Sequence, residues 1–77
     1  LPFHREFLQT GYDKGWLLMS GPRNPRIGGI VIARAPSQSD IEEFFKNDPY
    51  QIRGQAIYRF IEFEPVKKAP VIETWLN

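Results

Sequence analysis

The 77 residues include no cysteine and a single histidine. Without cysteine there is no disulfide staple and no thiolate metal site. One imidazole argues against a histidine-rich metal centre within one chain, and none is expected. An excess of charge of one sign is also missing. Ten basic and nine acidic side chains leave a net charge of +1, which gives no sequence-independent pull toward nucleic acid or an anionic membrane. The longest apolar runs, Trp16-Leu17-Leu18-Met19 and Ile30-Val31-Ile32-Ala33, are far too short to span a bilayer. No basic segment followed by an apolar signal core opens the chain, so a cytoplasmic protein is expected. Gly28-Gly29 lacks the spacing of a dinucleotide or P-loop fingerprint, and no cofactor is expected.

A chain of this length forms one small domain, residues 1–77, that buries only roughly 60% of its unfolded surface. With a marginal core and no staple, association is the remaining route to stability. A homodimer that covers a sheet face is therefore expected by elimination. The first residue is leucine rather than an initiator methionine, and upstream residues are expected to be missing from this chain.

Residue patterning divides the chain into five elements. Pro2 suits the first helical position of a helix over residues 2–14, with Gly11 and Gly15 near its end. Residues 16–20 read as a buried strand stopped by Gly21-Pro22. After the turn-rich Arg23-Asn24-Pro25-Arg26, residues 27–34 form a second strand, apolar on both faces, and the short loop predicts an antiparallel hairpin. Ser37 with Asp40, or Ser39 with Glu42, supplies an N-cap and acidic third position for a second helix striped by Ile41, Phe44 and Phe45. Asn47-Asp48-Pro49 ends it. After a short segment over residues 50–54, residues 56–64 predict a third strand, with Ile57, Ile61 and Phe63 on one face and Tyr58 and Phe60 on the other. Residues 66–77 form a tail, within which residues 71–76 suit an extra strand or packing on a neighbour.

His4 is the most informative residue. Phe3, Phe7, Leu8 and Tyr12 recur at helical spacing, and His4 falls near the centre of the arc they define. A titratable group facing inward needs a partner, and Asp48, in the Asp48-Pro49-Tyr50 turn, is the candidate. Two readings stay open on these residues alone. One is a core histidine satisfied by backbone; the other is a histidine and carboxylate that orient each other for proton transfer.

The order helix, strand, strand, helix, strand, placed behind one further strand, is the βαββαβ ferredoxin-like plan. The fold class is accordingly α+β, with an antiparallel sheet carrying two helices on one face. Here the chain resembles the YciI-like (YCII-related) proteins of the dimeric α/β-barrel superfamily. The resemblance rests on His4-Arg5-Glu6-Phe7-Leu8, Gly15-Trp16-Leu17-Leu18-Met19-Ser20-Gly21-Pro22, Gly28-Gly29-Ile30-Val31-Ile32-Ala33, Ile41-Glu42-Glu43-Phe44-Phe45, Asp48-Pro49-Tyr50 and Ile61-Glu62-Phe63. It implies a small cytosolic protein whose dimer packs two sheets face to face. It also implies that His4 and Asp48 are the characteristic pair, taken as a sign of enzymatic activity. Proteins of this family begin with a strand, central in the sheet, whereas this chain starts at the helix.

The expected chemistry is acid–base work on a small polar molecule, isomerase- or lyase-like. His4 takes a proton and returns it, since an unperturbed imidazole has a pKa of about 6.5, and Asp48 fixes the tautomer. Ser20 offers a hydroxyl where Gly21 and Pro22 end a strand at the expected cleft mouth. Arg23 suits a carboxylate or phosphate, and Tyr50 suits a pocket wall. The competing class is a non-catalytic ligand-binding or dimerisation module. An RNA-binding reading fails because Ile30-Val31-Ile32 is not a basic, aromatic sheet motif.

Overall fold

A computed structural model describes residues 2–76. Pro2 begins α1 (Pro2–Asp13), followed by β1 (Leu17–Pro22), β2 (Gly29–Ala33), α2 (Gln38–Phe45), α3 (Pro49–Ile52) and α4 (Pro70–Leu76). The fold class is α+β, and the described residues form one two-stranded antiparallel sheet.

Gly15, not Gly11, ends α1. With φ at 78°, Gly15 sends its N–H to the Tyr12 carbonyl at 2.9 Å, and Trp16 sends its own to Gly11 at 3.0 Å. These paired bonds satisfy carbonyls that the helix end leaves free. Gly11 has a different task. It is buried inside α1, and a Cβ there would come within 2.7 Å of the Leu17 side chain and 2.9 Å of Phe44. Its bare backbone lets α1 lie close against β1 and α2.

The hairpin expected from the short loop is present, but its burial is one-sided. Leu17 is buried, whereas Met19, two residues on, is exposed. Leu17 pairs with Ala33 and Met19 with Ile32, so one extra residue enters β1 between them. Such a bulge turns the side chains that follow away from their former face. The strand expected to be buried over residues 16–20 is thus buried only at Leu17 among its residues.

Ser37 caps α2, accepting the Asp40 N–H at 3.1 Å and donating its hydroxyl to the Asp40 carboxylate at 2.8 Å. This selects Ser37 with Asp40 over the alternative cap. The stripe of α2 places Phe45 in the core with Leu17. Phe44 stacks on Phe7 at 4.7 Å and meets the Trp16 ring edge-on at 5.9 Å. The Lys14 ammonium lies 3.9 Å over the Trp16 ring, which covers a half-buried indole without removing the charge from water.

Two expectations are corrected. Residues 56–64 carry no strand. Their side chains alternate as a strand's do: Ala56, Tyr58 and Phe60 are half-buried, while Ile57, Arg59 and Ile61 are exposed. From Ala56 to Phe63, however, the backbone makes no backbone hydrogen bond among the described residues. The pattern of apolar residues fixes which face turns inward, but a strand also needs a neighbour with a free edge. Residues 71–76 belong to α4 rather than an extra strand. Pro70 opens that helix at the position where proline is preorganised, and no neighbouring edge draws the β-branched Val71 and Ile72 into a ladder.

Candidate active site

Asp48 is the one buried charged residue among the described ones, with no exposed surface. The reason is local. Asn47-Asp48-Pro49 stops α2, and Asp48 becomes the N-cap of α3, with Pro49 in the first turn behind it. Its Oδ1 accepts the Tyr50 N–H at 3.1 Å, a cap bond that satisfies a donor every helix start leaves free.

The same oxygen lies 3.0 Å from Nδ1 of His4, 44 residues away in the chain. α1 brings His4 there because its apolar face, marked by Phe7 against Phe44 and Phe45, turns the first helical turn toward α3. The His4 ring stacks on Tyr50 with centroids 4.5 Å apart and planes within 7°. Tyr50 thus fixes the plane of the imidazole while Asp48 fixes one edge. The His4 side chain keeps 26% of its surface exposed, so its remaining nitrogen is not sealed from solvent by the fold.

The second oxygen of Asp48 accepts from the Tyr58 hydroxyl. Burial, together with the hydrogen bond to Asp48 and its charge, pushes the Tyr58 phenol well above its ordinary value of 10.0. Tyr58 therefore remains a donor across the neutral range. Three donors converge on one carboxylate: His4 Nδ1, the Tyr50 N–H and the Tyr58 hydroxyl. Asp48 in its carboxylate form has only acceptors to offer, so Nδ1 carries the hydrogen of neutral His4 and Nε2 holds the free lone pair.

Tyr58 is the residue that sequence reasoning passed over. Period-two patterning puts it on the same face as Phe60, and the structure turns both toward Phe45, at 4.7 and 5.9 Å between ring centroids. The available signal was a hydroxyl on an otherwise apolar inward face, since a buried tyrosine hydroxyl usually finds a partner.

The remaining candidates lie elsewhere. Ser20, Gly21 and Pro22, with Met19, Ile30 and Ile32, bound a shallow depression of about 340 Å³ on the hairpin. The Ser20 hydroxyl is 2.7 Å from that of Tyr12. Tyr12 stands eight residues beyond His4 on α1, a rise of about 12 Å along the helix. Arg23 bonds through its N–H to the Gly28 carbonyl at 2.7 Å, and its side chain is exposed. His4, Asp48 and Tyr50 are thus one cluster, joined by Tyr58. Ser20, Gly21, Pro22 and Arg23 form a second group that the described contacts do not join to it.

No curated protein and no solved structure matches the chain. A family model does: that of the YCII-related domain, over residues 1–64, a stretch that includes His4, Asp48, Tyr50 and Tyr58. The chain belongs to the YCII-related domain family.

Proposed function

We propose that this protein is a small acid–base enzyme in which His4 transfers protons and Asp48 orients it. One observation carries the reading: the partly exposed imidazole is held by a fully buried carboxylate at 3.0 Å. Nε2 takes a proton from a C–H or O–H of a small polar substrate, and the electron pair stays on the substrate. The resulting imidazolium is stabilised by Asp48, and the proton returns at another substrate atom, which restores neutral His4. Isomerisation is the simplest net outcome. In the lyase variant the same carbanion or alkoxide expels a leaving group, which takes the electron pair and the imidazolium proton and so restores neutral His4.

The surroundings proposed for this site are a ferredoxin-like subunit in a cytoplasmic homodimer joined through sheet faces. In support, Met19, Ile30 and Ile32 are exposed on the hairpin and Ile57, Ile61 and Phe63 on the segment after α3. Apolar faces of this kind are normally covered in the assembled protein. Among the described residues no helix is long and apolar enough to cross a membrane.

A second reading, a ligand-binding or dimerisation module, is favoured by the structural duties of Asp48, which caps α3 and holds Tyr58. The test compares wild type and His4→Ala in a metabolite screen for turnover, beside 15N spectra of the one imidazole. The enzyme reading expects the Nδ1–H tautomer at neutral pH and turnover lost in His4→Ala. Turnover that survives the substitution removes His4 from the mechanism.

A further inference from the structure

The acid–base pair leaves open what holds the substrate beside Nε2, and α3 offers a group that neither Asp48 nor the core uses. Arg53 follows α3 as its C-cap, with φ at −85° and ψ at 3°. It stands one turn beyond Tyr50, and residues three apart on a helix lie on the same side, with Cβ atoms about 5–6 Å apart. Both reach the first turn of α1. The Tyr50 ring stacks on His4, and the Arg53 guanidinium lies over the ring of Phe3, its carbon 5.9 Å from the centroid. Phe3 and His4 both belong to the first turn of α1, so the exposed Arg53 guanidinium and the Tyr50 ring meet the same turn.

A guanidinium whose only described contact is with an aromatic ring keeps its fork of N–H donors free for an anion. Among the described residues no carboxylate lies within 4.0 Å of Arg53. Arg34, by contrast, already donates its Nε–H to the Gly15 carbonyl at 2.9 Å and faces Trp75. The Asp48 charge does not compete for Arg53, since three donors occupy it inside the fold.

We propose that Arg53 is the substrate-anion subsite of the His4 corner: it grips the carboxylate of a small acid whose labile proton then faces Nε2. The proposal rests on the acid–base reading above and narrows its substrate class to small carboxylic acids. A carboxylate accepts two parallel bonds from the fork, which fixes the position of the substrate as well as its charge. The proton to be moved then lies on the neighbouring carbon or hydroxyl.

The single histidine permits a test without a known substrate. Sodium acetate is titrated into the intact protein while the His4 ring 15N signals and the Arg53 Nε–H signal are followed, with sodium chloride as control salt. Saturable shifts of both signals are expected with acetate. Arg53→Gln should weaken acetate binding about tenfold or more, the loss of a charge-assisted pair of bonds. Arg26→Gln, in the hairpin loop, should leave it unchanged. Arg53 is exposed, so its substitution does not endanger the fold. An equal response to chloride indicates an adventitious ion only and overturns the proposal, as does unchanged binding in Arg53→Gln. Silence toward acetate in a protein that shows the Nδ1–H tautomer overturns the subsite and leaves the acid–base reading standing. Arg53-dependent binding beside an Nε2–H tautomer does the reverse.

Discussion

The corner between α1 and α3 and the far end of the hairpin both hold residues suited to chemistry, yet they are built differently. At the corner, one buried carboxylate gathers an imidazole, a backbone N–H and a phenol, and an aromatic ring fixes the imidazole plane. At the hairpin end, Ser20, Gly21, Pro22 and Arg23 are all exposed, and the Ser20 hydroxyl bonds to Tyr12 on the surface. Side-chain types alone do not separate the two. Desolvation does: a hydrogen bond at the corner cannot be exchanged for water, whereas one at the hairpin end can.

Asp48→Ala should give the greatest loss. It strands three donors and removes the cap of α3, which together correspond to about 3 kcal/mol in urea denaturation. A loss below about 1 kcal/mol would mean that the corner is as loosely held as the hairpin end. Gly11→Ala tests the joint between the two regions. The added methyl meets Leu17 and Phe44 at under 3 Å. Overpacking of this kind costs about 1–3 kcal/mol, partly offset by about 1 kcal/mol of helix propensity. A net loss of about 0–2 kcal/mol is expected, and a clear gain would show that α1 can move away from β1 at no cost.

Tyr58→Phe should cost about 1 kcal/mol at neutral pH, with a pH signature. The folded phenol is pushed above the ordinary value of 10.0, so below that pH both folded and unfolded chains keep the proton and the contact contributes in full. Above it the unfolded chain releases its proton first. It then binds fewer protons than the folded one, and stability falls as pH rises. The gap between wild type and Tyr58→Phe should therefore hold up to about pH 10 and narrow steadily as the pH rises above it in paired denaturation curves. A constant gap would detach Tyr58 from Asp48. Ser20→Ala and Arg23→Ala should each stay within about 0.5 kcal/mol, and a larger change would bring the hairpin end closer in character to the corner.

Much of this contrast was legible in the residues. The helical arc of Phe3, Phe7, Leu8 and Tyr12 turned His4 inward, and Asp-Pro at a helix stop placed Asp48 in a turn as its candidate partner. Contact between them depended on how α1 lies across α3. Gly11, placed near the helix end by its sequence, instead marks where α1 closely approaches β1 and α2. Period-two alternation assigned Tyr58 to the inward face but could not say that a carboxylate waited there. The same alternation predicted a strand over residues 56–64, because side-chain pattern reports faces and not whether a neighbour supplies hydrogen bonds. Residues 71–76 suit a strand by the same kind of pattern, and they form α4. Pro70, at the start of that helix, was the better guide to it than the β-branched Val71 and Ile72.

One atom carries a consequence for kinship. Asp48 Oδ1 both receives His4 and caps α3, so a relative without the proposed proton transfer still gains stability from this aspartate. His4 has no such second duty in the backbone. Among relatives, survival of the aspartate therefore says little about the proposed proton transfer, and the presence or loss of the histidine is the sharper guide to it.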